Sequence, residues 1–276
     1  MSAEHIAELV LAPIVTGLVA AWVYARFFRA RDDLAASRSL AAAQDREDDA
    51  VPAASVHLTQ PPIPGVGWVS DEVIDIPSDA EPGVYNTRFP GHDHATLADL
   101  PFSANGVDYV RTWMSFDLTG IHHTATKITR IRAVIDETRP VPAGTVYYAV
   151  PQGIGEKDIM VFDLGSPDLD ARTQDEYRAP TWEHYIDKKV STLARGESIG
   201  FIADVLAPQF GADIRYHLEI CFAAGPPVSI YSDAGTPFRI VGYPRTAQRA
   251  YIAAGPEHHV WPNYPDYGGE LEPNVT

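Results

Sequence analysis

The run Leu9–Ala25, LVLAPIVTGLVAAWVYA, holds seventeen residues without a charge, and Arg26, Arg29 and Arg31 follow it at once. No other feature restricts the chain as much, because a stretch this apolar has to be hidden from water. A spanning helix needs roughly 20 mostly apolar residues to cross a ~30 Å hydrocarbon core. Ile6 to Phe28 supplies twenty-three positions, broken only by Glu8 and Arg26 near its ends. Trp22, Tyr24, Phe27 and Phe28 gather at the C-terminal end, as an interfacial aromatic belt does. Pro13 lies one turn into the run, where a membrane helix tolerates it.

Two other readings fit less well. A cleavable signal peptide carries a basic leading region, but Glu4 and Glu8 lie there and no Lys or Arg does. A core helix of a soluble domain keeps a polar face, and this run offers only Thr16. Residues 1–30 are therefore expected to be a single transmembrane helix whose first partner is the lipid bilayer. Three arginines follow the helix and no Lys or Arg precedes it, so the C-terminal side is expected to be cytoplasmic and the N-terminus outside.

Beyond Arg31 the chain carries 18 Lys+Arg against 35 Asp+Glu, the 21 and 37 of the whole sequence less three and two, which leaves −17. Such a domain repels phosphate backbones, so nucleic acid is not an expected partner. The single cysteine, Cys221, excludes an intrachain disulfide and any multi-cysteine zinc site.

Residues 31–50 are rich in Ala, Arg, Asp and Glu and free of Gly and Pro, which predicts a helical stalk. Its apolar seam, Leu34, Leu40 and Ala41, is too thin to specify a coiled coil. Homo-oligomers through the stalk are thus only weakly indicated. From Pro52 to Pro101 the chain holds eight prolines, so residues 51–104 read as an extended connector with at most a strand or two.

From Val107 the pattern changes to period two. The clearest case is Ile214–Phe222, where Ile214, Tyr216, Leu218, Ile220 and Phe222 alternate with Arg215, His217, Glu219 and Cys221. Further strands are expected at 128–135, 158–164, 198–205, 228–231 and 238–241, with Gly/Pro turns between most of them. Many short strands and no intervening helices predict an all-β domain over 105–245, an antiparallel β-sandwich or barrel. Residues 170–189 fit no period. The tail, 246–276, interleaves Trp261, Tyr264 and Tyr267 with proline, and is expected to fold back on the domain or stay disordered rather than act as a ligand.

Chemistry is sparse. Gly196-Glu-Ser198-Ile-Gly200 matches G-x-S-x-G, which works when a strand-to-helix turn exposes the serine as a nucleophile. The following residues alternate like a strand, so Ser198 reads as structural. His92 and His94 point the same way if extended and are the better metal pair, whereas adjacent histidines such as His122 and His123 diverge. Asp163, Asp168 and Asp170 offer hard oxygens without the spacing of a calcium loop, so a solvated acidic loop is the default. No cofactor is implied. Arg215, His217 and Glu219 mark a candidate binding face on one strand. The expectation is a membrane-tethered recognition or scaffolding module with a protein or small-molecule partner. The competing class is a metal-dependent or serine hydrolase at the membrane surface.

Overall fold

The computed structural model describes Trp22 and residues 36–62, 67–76, 91–104, 106–149, 159–175, 179–189, 192–254, 257–260 and 272–273. The chain divides into two compact units, Met1–Val51 and Pro52–Thr276. In the first, residues 36–50 form helix α1, and Trp22 is helical. No helix among the described residues is long and apolar enough to cross a membrane. The expected anchor, Trp22 apart, and its flanking Arg26, Arg29 and Arg31 lie outside the described residues.

The second unit is mostly β. Strands β1 (Ala54–Gln60), β4 (Asp99–Ala104), β5 (Val107–Gly120), β8 (Met160–Asp163), β9 (Arg172–Gln174), β10 (Pro180–His184) and β12 (Ser198–Pro208) build a seven-stranded sheet. Its order is β1-β5-β12-β8-β9-β10, with β4 also on β5. A five-stranded sheet runs β11 (Thr192–Leu193), β6 (Thr126–Arg139), β13 (Asp213–Phe222) and β14 (Val228–Ile230), with β15 (Phe238–Val241) also on β13. The third sheet collects β2 (Gly67–Ser70), β3 (Ala95–Thr96), β7 (Thr145–Ala149), β16 (Arg249–Ala254), β17 (Glu257–Val260) and β18 (Glu272–Pro273).

The all-antiparallel expectation needs correction, because β12 pairs with β8 and β16 with β7 in parallel. Parallel neighbours need a long crossover between them. The chain supplies one in each case, through β9 to β11 before β12 and through β8 to β15 before β16. The proline-rich segment is also more ordered than expected, since β1 to β4 all lie within it and join two of the sheets. Among the described prolines, Pro52, Pro61 and Pro62 lie outside the strands, while Trp68, Val69, Ala95 and Leu97 are buried. In the tail region, β16 and β17 extend the third sheet as an antiparallel pair.

Alternation explains the core. On β5, Val110, Met114, Phe116 and Leu118 are buried, and on β13 so are Ile214, Tyr216, Leu218, Ile220 and Phe222. These side chains belong to one hydrophobic cluster with Phe162, Val205, Ile131, Ile230 and Ile240, so the seven-stranded and five-stranded sheets share a core. Full burial of such a side chain is worth about 1.5–3 kcal/mol. Trp68 stacks on Tyr147 at 5.5 Å between ring centres, which ties β2 to β7.

The edge of β6 is covered by a piece of chain from the other sheet's side. Leaving β8, the segment Leu169–Ala171 runs along β6 before entering β9. The Ala133 amide donates to the Leu169 carbonyl at 2.9 Å, and the Ala171 amide donates to the Ile131 carbonyl at 2.8 Å. Residues 169–171 thus strap the seven-stranded sheet to the five-stranded one.

Candidate functional site

The residues singled out in the sequence are dispersed. Ser198 opens β12 opposite Thr119, its hydroxyl 2.5 Å from that of Thr119. The chain runs on as strand to Pro208, so the strand-to-helix turn of a nucleophile elbow does not form here. Gly196 takes φ 76° in the turn ahead, a conformation that favours glycine, and this accounts for the first glycine of the motif. His92 Nδ1 lies 2.5 Å from Glu72, whereas His94 Nδ1 lies 3.0 Å from the His92 carbonyl oxygen and its ring packs edge-on against Trp68. The two imidazoles engage different partners.

On β13 the three outward residues are each paired with β6. Arg132 contacts Glu219 at 2.6 Å, Asp136 contacts His217 at 2.9 Å, and Glu137 lies 3.5 Å from Arg215. A bulge between Arg215 and Tyr216 leaves Asp136 without a ladder partner and free to meet His217. His217 is more buried than its strand parity implies, because it also stacks on Tyr231 at 4.7 Å. The face is charge-compensated by its own chain.

A denser group sits where the strap leaves the seven-stranded sheet. Short polar turns shape the loop after β8: the Gly165 amide donates to Asp163, the Asp168 amide to Ser166 Oγ, and the Asp170 amide to Asp168 Oδ1. Such side-chain turns are what Asp and Ser offer a backbone leaving a strand. Asp163 also accepts from Tyr109 at 3.0 Å, and burial together with that carboxylate pushes the Tyr109 phenol up to about 12. Asp168 is met by the Arg172 guanidinium and by His184 Nε2 at 3.2 Å, and Asp170 by Arg130 Nε at 2.7 Å. The Asp170 amide, then His184 and Arg172, hold the Asp168 carboxyl below its usual range.

Asp168, Asp170 and His184 place three donor atoms within 4.8 Å of one another. In kind they suit a divalent ion. Guanidinium groups already neutralise both carboxylates, however, and an ion would have to displace Arg172 and Arg130. The arrangement works instead as an ionic clasp on the hairpin that follows. Beside it lies an open hollow of about 280 Å³ lined by Tyr109, Asp163, Ser166, Asp168, Arg172 and Thr181.

That hairpin carries the most exposed large apolar side chain among the described residues. Pro180 pairs with Gln174 and His184 with Arg172, so Thr181, Trp182 and Glu183 oppose the single residue Thr173. The bulge turns Trp182 outward, and 82% of it is exposed. Bulges of this kind re-aim side chains. The crest is braced on each side: Arg172 donates to the Trp182 carbonyl, the Thr173 and Thr181 hydroxyls meet at 2.6 Å, and Lys188 reaches Glu183 at 3.1 Å. Behind it, the short helix α2 (Tyr185–Lys188) hangs from the strap through a 2.8 Å bond from the Tyr185 amide to the Ala171 carbonyl.

Sequence reading named Asp163, Asp168 and Asp170, but it missed His184, Arg172 and Trp182. All three lie in 170–189, where the bulge erases any period. The available signal was a lone tryptophan two residues after a proline, among charged and polar neighbours. No protein-family model, curated protein or solved structure matches the chain.

Proposed function

We infer that the chain is a membrane-tethered β-sandwich module for recognition or scaffolding, and that the β9–β10 hairpin is its contact surface. The observation that carries the reading is the braced exposure of Trp182. Tryptophan is over-represented among the residues that dominate binding energy, and a side chain held in place loses little entropy on contact. A sandwich of the seven-stranded and five-stranded sheets is supported by their common core, and tethering by the apolar run before Arg26. The cytoplasmic side is favoured by the three arginines that follow that run.

The test has two arms. Full-length protein, solubilised in detergent, is used for capture alongside Trp182→Ala and Arg215→Ala. The reading predicts that partner capture is lost with Trp182→Ala and kept with Arg215→Ala, and the opposite pattern refutes it. In intact cells, an impermeant thiol reagent should miss Cys221 although it labels the residue in lysate. Labelling of intact cells would reverse the orientation.

A further inference from the structure

We propose that the partner met by the Trp182 hairpin is a second copy of this chain anchored in the same bilayer. The inference rests on the recognition reading and names its partner.

Charge argues first. The chain carries −16 overall, so two copies repel each other at long range. The stretch 172–189 is different. Arg172, Arg178, Lys188 and Lys189 balance Asp175, Glu176, Glu183 and Asp187, four against four, and two of the chain's four lysines are here. Glu183 and Lys188 sit 3.1 Å apart, immediately beside the Trp182 crest. Under a two-fold axis near Trp182, each copy's Glu183 approaches the other's Lys188, while the two indoles meet at the centre. A two-fold contact needs such a self-complementary patch.

Geometry sets the mode and strength of the contact. The bulge breaks the ladder register of β10, and bulged edges resist strand addition. The contact is therefore made by side chains and is not a continued sheet. A tryptophan buries about 150–250 Å². Two of them fall well short of the ~1,200 Å² at the low end of stable interfaces. Free copies therefore associate weakly, and confinement to one membrane supplies the effective concentration that makes the contact populated.

The experiment uses full-length chains in phosphatidylcholine vesicles, labelled with donor or acceptor dye at a C-terminal tag, with energy transfer read at a fixed protein-to-lipid ratio. Wild type should transfer above a non-interacting membrane control, and Trp182→Ala should fall to that control. Glu183→Lys alone and Lys188→Glu alone should also fall, since each places like charges across the axis. A mixture of donor-labelled Glu183→Lys with acceptor-labelled Lys188→Glu should recover transfer, because both cross-pairs are then opposite in sign. Recovery in the mixture also shows that neither variant has failed to fold. Transfer indifferent to the single changes, or unrestored in the mixture, overturns the proposal. Control-level wild-type transfer, with Trp182-dependent capture of a different protein, overturns the self-contact and leaves the recognition reading standing.

Discussion

Arg172 holds Trp182 by its backbone: one guanidinium nitrogen donates to the Trp182 carbonyl while another engages Asp168. The side chain that projects from the sheet is thus fixed by a residue of the neighbouring strand. Replacing Arg172 with alanine should release the crest with only a modest loss in melting temperature, because the hydrophobic core is untouched. Amide exchange over residues 181–184 should rise several-fold. Arg172→Lys should not restore protection, since an ammonium lacks the planar fork that serves two acceptors. Protection unchanged in Arg172→Ala would show that the hairpin is held by something else.

Trp182→Ala should separate binding from stability. An exposed side chain away from caps and strained sites usually changes stability by less than about 0.5 kcal/mol. Leu218, buried in the shared core, should cost about 2–5 kcal/mol on truncation to alanine. Glu219→Ala breaks a partly exposed pair with Arg132 and should cost about 0–1 kcal/mol. Thermal unfolding of the three variants side by side checks the order Leu218 > Glu219 ≥ Trp182.

Acid should loosen the hairpin before it unfolds the domain. Asp168 has a folded-state pKa below its ordinary value, through the Asp170 amide, His184 and Arg172. A carboxyl of this kind contributes stability above its unfolded pKa of about 3.9 and loses it as pH falls through the lower folded value. The protection of the 181–184 amides, relative to the free-chain exchange rate at each pH, should therefore fall below about pH 4. Asp168→Asn should already be loose at neutral pH and show a flatter profile. A wild-type profile indistinguishable from that of Asp168→Asn would remove Asp168 from the clasp.

The glycines near Ser198 offer a test of the hydrolase reading. A Cβ at Gly120 would stand 2.2 Å from the Ala194 carbonyl oxygen, so Gly120→Ala should destabilise by at least about 1–3 kcal/mol. At Gly200 the nearest neighbour is a movable Asp117 carboxylate oxygen at 3.0 Å. Gly200→Ala and Ser198→Ala should both fold normally and leave partner capture intact. An esterase activity lost in Ser198→Ala would contradict this.

What was legible in the sequence follows the reach of each interaction. Ile214–Phe222 announced itself because one face meets the core and the other does not, which writes the pleat into the residue order. The parallel pairing of β8 with β12 could not be read, since no local pattern says which distant strand a strand will join. Among the strands of the proline-rich segment, β2 and β3 are only four and two residues long, too short to show a period. Asp168 and Asp170 were visible as acids, but their partners Arg172, Arg130 and His184 come from a strand, a second sheet and the far arm of a hairpin. Trp182 was hidden by its own bulge: a three-against-one register has no period to detect.

The strap at Leu169–Ala171 also decides how the domain bears load. A pull on Trp182 enters the backbone at β10 and passes through Arg172 and α2 to Ala171. There it meets bonds from Ala133 to Leu169 and from Ala171 to Ile131, which lie across the line of the chain. Those bonds join the strap to β6, so force on the crest is passed on to the five-stranded sheet. A pull on the crest is therefore carried by the seven-stranded and five-stranded sheets together.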